Sequence, residues 1–222
     1  MDVREILAKV DHTLLKPDAS SDEMIALCED ALKYGVASVC VPPAYVARVR
    51  GYLDGKVPIC TVIGFPNGYS STFVKVFETT DAVRAGADEI DVVVNLGLVK
   101  DGDWDGVLAE LHAVRDACAG KIMKVIIETA LLTEQEKLEL CRVVSKCRAD
   151  YIKTSTGFAS GGATREDVAL LKANVAPHVK VKAAGGIKTL QDAEDFIRLG
   201  ADRLGTSSIV RIVKEQNLLG LE

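Results

Sequence analysis

Two lysines stand where lysines are costly. Lys153 lies in YIKTSTG and Lys182 in VKVKAAGG, each inside a short run of apolar or small residues that reads as a buried strand. Two ammonium groups brought together in a desolvated pocket repel each other, and both burial and like charge favour the neutral amine. A neutral lysine attacks carbonyl carbon and forms a Schiff base. Asp91 interrupts the apolar strand EIDVVVN, and a carboxylate buried there needs a charged or hydrogen-bonded partner. The lysine pair supplies one, and the acid could then move protons or hold a water. Plainer readings exist for each residue. A rim lysine can snorkel to solvent, and an acid among lysines can be a structural ion pair. Lys124 and Lys180 fall early in their strands and read as structural or solvent-exposed, which leaves two lysines facing one aspartate.

A second set of residues suits an anion. Gly185-Gly186 follows one predicted strand, and Gly205-Thr206-Ser207-Ser208 follows the next and opens the final helix. Backbone N–H groups, serine hydroxyls and a helix N-terminus together suit phosphate, although simple turn chemistry would also use such residues. The six cysteines form no C-x-x-C pair, and the three histidines show no metal-ligand spacing. The cysteines read as reduced core thiols, and no metal or cofactor is expected.

These residues need a scaffold that brings strand ends together, and a weak repeat supplies it. YGVASVCV, AGADEIDV, CRADYIKT and LGADRLGT place Gly35, Gly86, Arg148 and Gly200 at intervals of 51, 62 and 52 residues. Each interval has room for two strand-helix units. Strands are predicted near 10–14, 38–41, 59–64, 89–94, 123–128, 150–154, 179–183 and 202–206. Ser20 with Glu23 and Thr133 with Glu136 mark helix starts as capping boxes, and Thr164 with Asp167 and Thr189 with Asp192 are carboxylate versions. Eight alternating units without a linker predict one α/β domain over residues 1–222, a (β/α)8 TIM barrel with a short extra N-terminal helix. An open doubly wound sheet is the alternative, but no Gly-rich turn follows the first strand. Helices cover the outside of barrel strands, so strand lysines point inward. The C-terminal strand ends, where such barrels hold their sites, offer Asp11, His12, Cys40, Asn67, Asp91, Asn95, Glu128, Lys153 and Lys182. A net charge of −5 argues against a nucleic-acid partner. No apolar run is long enough to span a membrane, and the charged N-terminus does not read as a signal peptide, so a cytoplasmic location is expected.

DHTLLKP (11–17), SVCVPP (38–43), TVIGFPNG (61–68), VKVFET (74–79), GADEIDVVVN (86–95), KVIIETALLT (124–133), YIKTSTGF (151–158), VKAAGGIKT (181–189) and GTSS (205–208) together resemble the deoxyribose-phosphate aldolase family, in order and in register. The resemblance implies a metal-free class I aldolase, a lyase that reversibly cleaves 2-deoxy-D-ribose 5-phosphate into acetaldehyde and D-glyceraldehyde 3-phosphate. It implies Lys153 as the Schiff-base lysine, Lys182 as the second lysine that keeps it neutral and Asp91 as the acid/base group. Asp11 would organise that network. Thr156, Gly157, Gly185, Gly186, Gly205, Ser207 and Ser208 would contact substrate or phosphate. Some relatives place a lysine where Phe158 stands, so the phosphate site is expected to lean on backbone donors. Family members often end in a tail with a C-terminal tyrosine, whereas this chain ends LLGLE, and lower turnover or altered proton transfer is the expectation. Cys40, expected near the open mouth, could be alkylated by unsaturated aldehydes. A homodimer or homotetramer is compatible with all of this. Competing readings are another Schiff-base phosphosugar aldolase or transaldolase, a flavin barrel, which leaves the lysines unexplained, and a catalytically dead phosphosugar-binding protein.

Overall fold

Near-continuous Val/Ile runs alternate with capped amphipathic helices along this chain, and they fold as parallel strands hydrogen-bonded in sequence order around a closed barrel. The structure is a computed structural model that describes residues 1–221. Glu222, the last residue of the LLGLE terminus, lies outside the described residues. The strands are β1 (Val10–Thr13), β2 (Ser38–Val41), β3 (Ile59–Ile63), β4 (Glu89–Val93), β5 (Ile122–Ile126), β6 (Tyr151–Lys153), β7 (Lys180–Ala184) and β8 (Arg203–Thr206). Each predicted strand is present, with ends that differ by at most two residues.

The short N-terminal helix is α1 (Val3–Leu7). The returning helices include α2 (Ser21–Tyr34), α3 (Val46–Leu53), α4 (Thr72–Ala85), α6 (Trp104–Ala117), α7 (Glu134–Lys146), α8 (Arg165–Asn174), α9 (Leu190–Arg198) and α10 (Ile209–Glu215), with a short α5 (Leu96–Lys100) before α6. The capping pattern read from the sequence is present at Ser20–Glu23, Thr133–Glu136 and Thr189–Asp192, where side chain and backbone bond reciprocally. Thr164 accepts from the Asp167 N–H without the return bond. Such caps satisfy N–H groups that the first helical turn leaves open. Apolar outward faces of the strands, such as Val39, Ile90, Val125, Ile152 and Val181, pack under the helices. The barrel interior is different. Its lower layers are charged, and that is where the site is built.

Candidate active site

Side chains two residues apart on a strand share a face, so neighbouring strands in register stack their inward groups into layers. Asp91 of β4 pairs with Lys124 of β5, and Lys153 of β6 pairs with Lys182 of β7. Lys182 in turn pairs with Arg203 of β8. Asp91 is the hub. Its Oδ2 accepts from Lys153 Nζ at 2.8 Å and from Lys182 Nζ at 2.7 Å. Its Oδ1 accepts from Lys124 Nζ at 2.7 Å and from the Cys60 thiol at 3.1 Å. Asp11 of β1 lies 2.5 Å from Lys182 through Oδ2, while its Oδ1 accepts from Ser38 Oγ at 2.7 Å and Arg203 Nη1 at 2.5 Å. Glu89 closes the circuit, 2.6 Å from Lys124 and 3.1 Å from Arg203 Nη2.

Four cations therefore face three carboxylates, where the sequence suggested two lysines and one aspartate. Lys124 is the main correction. Of the structural and solvent-exposed readings, the structure rules out the second, since Lys124 is fully buried and sits directly on Asp91. Position along its own strand suggested the stability face. Its height in the barrel is instead set by the register between β4 and β5, which places it level with Asp91. Lys180, by contrast, is exposed.

The electrostatics also depart from the simple repulsion argument. Burial alone would push the Lys182 ammonium toward neutrality, but Asp11 and then Asp91 hold its pKa above the ordinary amine range. Burial likewise opposes ionisation of Asp91, yet Lys124, Lys153 and Lys182 keep its carboxyl well below the usual carboxylate range. Asp11 is depressed in the same way, with Lys182 as the chief opponent of burial. Lys182 is thus a held cation. Lys124, Lys182 and Arg203 each touch two carboxylates, whereas Lys153 touches only Asp91.

Above this layer lies a cavity of about 340 Å³, and Lys153 is the member of the charged cluster that lines it. Thr156, Gly157, Gly185, Gly186, Gly205, Ser207 and Ser208 line the same cavity, as expected from the sequence. Gly185 and Gly186 both have φ near +78°, a conformation that disfavours any side chain. A Cβ on Gly205 would stand 3.1 Å from Lys182 Cε, so its bareness makes room for the lysine stem. The Ser208 N–H already donates to Thr206 Oγ1 at 3.0 Å.

Several contributions were invisible or misplaced in the sequence. Lys16 and Lys188 line the cavity, so cations are present despite Phe158, which is half exposed and meets Phe65 edge-on with centroids 5.2 Å apart. Lys188 sits two residues beyond the glycine pair, a spacing that could have flagged it. Glu128, one of the strand-end residues, has φ 55° and accepts from the Thr156 N–H at 3.2 Å and from the Thr156 hydroxyl, pinning the segment that follows Lys153. Asn95 caps α5 through Gly97 N at 3.0 Å and belongs to the scaffold. Asn67 lines a smaller adjoining pocket of about 130 Å³. His12 faces away from the barrel interior, since Asp11 beside it points in. Cys40, expected near the open mouth, is buried on the inner wall, in a cluster with Cys60 and Val62 against which the cavity-lining Leu15 packs. Two ligand-like groups converge within 4.8 Å, Cys40/Cys60/Asp91 and Asp11/Cys60/Glu89. Their carboxylates are already engaged by lysines and Arg203, which a metal ion would have to displace.

What this arrangement can do is offer one amine to a cavity from a bed of held charges, opposite a glycine-serine wall suited to an anion. Known proteins are similar to this chain over almost its whole length. A deoxyribose-phosphate aldolase of Streptococcus agalactiae is 54% identical over 218 residues, covering 98% of each chain. One of Clostridioides difficile is 50% identical over 215 residues, covering 97% of this chain and 98% of its own. The crystallised deoxyribose phosphate aldolase of Aeropyrum pernix, described as tetrameric, superposes with a TM-score of 0.91 at 32% identity, covering 98% of this chain and 93% of that one. Residues 6–208, which span every strand and every member of the charged cluster, match the DeoC/LacD family aldolases. A chain with this barrel, this buried lysine cluster and full-length relatives at such identity belongs to that family of aldolases.

Proposed function

We propose that this protein is a class I aldolase that reversibly cleaves 2-deoxy-D-ribose 5-phosphate into acetaldehyde and D-glyceraldehyde 3-phosphate, with residues 1–222 acting as one catalytic unit. The observation that carries the reading is Lys153. Of the three lysines bonded to Asp91, it alone lines the cavity. It is also the cation with a single carboxylate partner, so it is the one the cluster holds least.

Lys153 Nζ attacks C1 of the open-chain sugar, and the carbinolamine loses water to give a protonated imine. That imine is an electron sink. A water held by Asp91 and Lys182 takes the proton from the C3 hydroxyl, the C2–C3 bond breaks, and its electron pair flows to the imine. Glyceraldehyde 3-phosphate leaves. The remaining enamine is protonated at C2 and hydrolysed, freeing acetaldehyde and Lys153. Asp11, itself bonded to Arg203, holds Lys182, and Lys124, itself paired with Glu89, holds Asp91, so the relay is set before substrate arrives. Thr156 and Gly157 shape the wall beside Lys153. Gly185, Gly186, Gly205, Ser207 and Ser208, with Lys188 and Lys16, take the phosphate, whose binding orients the reacting carbons.

Borohydride reduction in the presence of acetaldehyde, followed by peptide mapping, tests this. An ethyl adduct on Lys153 is expected, and its absence, or adducts confined to surface lysines, overturns the mechanism. Assay of the cleavage products then separates this substrate from other phosphosugars. The reading extends to a homodimer or homotetramer in the cytoplasm. The tetrameric Aeropyrum pernix relative supports assembly, as do the exposed Tyr69, Phe73 and Phe77 at the start of α4. No helix among the described residues is long and apolar enough to cross a membrane.

A further inference from the structure

One pair of groups in the barrel has no part in the mechanism above. Cys40 of β2 and Cys60 of β3 are direct partners across adjacent parallel strands. Their sulfurs and an Asp91 oxygen all lie within 4.8 Å of one another. Residues paired across neighbouring strands sit about 4.8 Å apart, inside the Cα separation that a disulfide tolerates. Both thiols are buried, and Leu15, which with Phe65 packs against the cluster they form with Val62, also lines the cavity. Displacement of Leu15 is therefore the route by which a small reagent in the cavity would approach Cys40.

We propose that Cys40 and Cys60 form a peroxide-sensitive oxidation site, closing to a disulfide that withdraws the Cys60 thiol from Asp91. Cys40 reacts first. Contact with the Cys60 thiol lowers its pKa, with Lys182 and Lys153 assisting, whereas burial pushes the Cys60 thiol up. The Cys40 thiolate attacks one oxygen of hydrogen peroxide, the O–O bond breaks, and the departing hydroxide takes up the thiol proton as water. Cys60 sulfur then attacks the sulfenic sulfur of Cys40. The S–O bond breaks, and the hydroxide leaves with the Cys60 proton as a second water. Two thiols are oxidised to one disulfide, and one peroxide is reduced to two waters.

The consequence for catalysis follows from geometry. Cys60 Sγ now donates to Asp91 Oδ1 at 3.1 Å and lies 3.3 Å from Lys124 Nζ. Turned toward Cys40, it no longer donates, and the hub carboxylate loses one of its four donors. A hydrogen bond to a buried charge of this kind corresponds to about a tenfold change in rate. The bridge spans two parallel side chains, a wider reach than a relaxed disulfide prefers, so mild thiol reductant reverses it.

The effect on activity rests on the aldolase reading, whereas the disulfide does not. Purified protein is therefore treated with hydrogen peroxide and read in two ways. Intact mass is expected to fall by two hydrogens, with a non-reducing map linking the Cys40 and Cys60 peptides. Cleavage activity is expected to fall about tenfold and return with dithiothreitol. Cys60→Ser keeps a donor beside Asp91 and removes the bridge, so that variant retains its own untreated activity better than the parent does. Absence of the linked peptide in the parent overturns the proposal even if Cys60→Ser fails to fold. A linked peptide with full activity overturns the coupling to Asp91. A linked peptide in protein that never forms the Lys153 adduct supports the oxidation site and sinks the aldolase reading instead.

Discussion

Replacing Lys124 by Met is the sharpest probe of the charged layer, because the two descriptions of that residue predict different outcomes. As a solvated lysine it would matter little, and surface substitutions usually change stability by less than about 0.5 kcal/mol. In the structure it is fully buried, 2.7 Å from Asp91 Oδ1 and 2.6 Å from Glu89. Its removal leaves two buried carboxylates each short of a cation, a change that costs about 3–5 kcal/mol. With a urea slope of about 3 kcal/mol/M, the unfolding midpoint falls by about 1–1.7 M. The pH profile supplies a second readout. Lys124 is the largest charge opposing burial at Asp91, so without it the carboxyl protonates at higher pH. The working form of Asp91 is ionised, and that form is lost as pH falls through its pKa. The acid limb of kcat therefore moves upward in Lys124→Met. Lys180→Met is the control, since Lys180 is exposed and only approaches the Tyr151 ring at 5.7 Å. Its expected cost is about 1 kcal/mol or less. Equal urea midpoints for the two variants, with an unmoved acid limb, would refute the layered network.

Further outcomes can be checked with the same material. Gly205→Ala places a Cβ 3.0 Å from Ala184 Cβ and 3.1 Å from Lys182 Cε; displacing that lysine is expected to cost about 1–3 kcal/mol and lower kcat more than it raises KM, and a kcat within twofold of the parent counts against it. Burial lowers the His12 pKa to about 4 from 6.5, so the unfolded chain binds a proton first and stability falls as pH drops between those values. The loss amounts to about 3 kcal/mol at the low end; His12→Leu should flatten urea midpoints measured from pH 7 to pH 4, and an unchanged slope rejects the assignment. Phe158→Lys adds a cation to the cavity wall and is expected to lower KM for the phosphorylated substrate about fivefold, less so at high salt; equal improvement toward unphosphorylated deoxyribose would mean that Phe158 does not face the phosphate.

Much of the candidate site was legible in the sequence. Lys153, Lys182 and Asp91 stand out because a charge inside an apolar strand has few bland explanations, and the glycine-serine loops follow the last two strands. What stayed hidden was whatever depends on neighbours distant in sequence. Arg203 and Glu89 look like ordinary charges at strand starts, yet they bracket the layer that holds Lys182 and Asp91. Glu128 gives no sign that it pins Thr156, because both its left-handed backbone and its partner are set by the packing of β5 against β6. Lys75 and Glu110 are likewise a fully buried pair at 2.7 Å, outside the barrel, with Lys75 Nζ also donating to the Val93 carbonyl at the end of the Asp91 strand.

The sequence by itself determined the alternation of strands and helices, the helix starts and which charged residues stand inside apolar strands. These follow from local rules: side-chain periodicity, capping chemistry and the cost of burying a charge. Only the tertiary structure decided which charges meet. Closing the barrel sets the register of each strand against the next, and a shift of one residue would turn every inward group outward. That register put Lys124 on Asp91, Cys60 beside Cys40, and Lys153 alone at the cavity floor. The charge inside an apolar strand was written in the chain, but its partners and its exposure were settled by strands that the chain reaches only after closing.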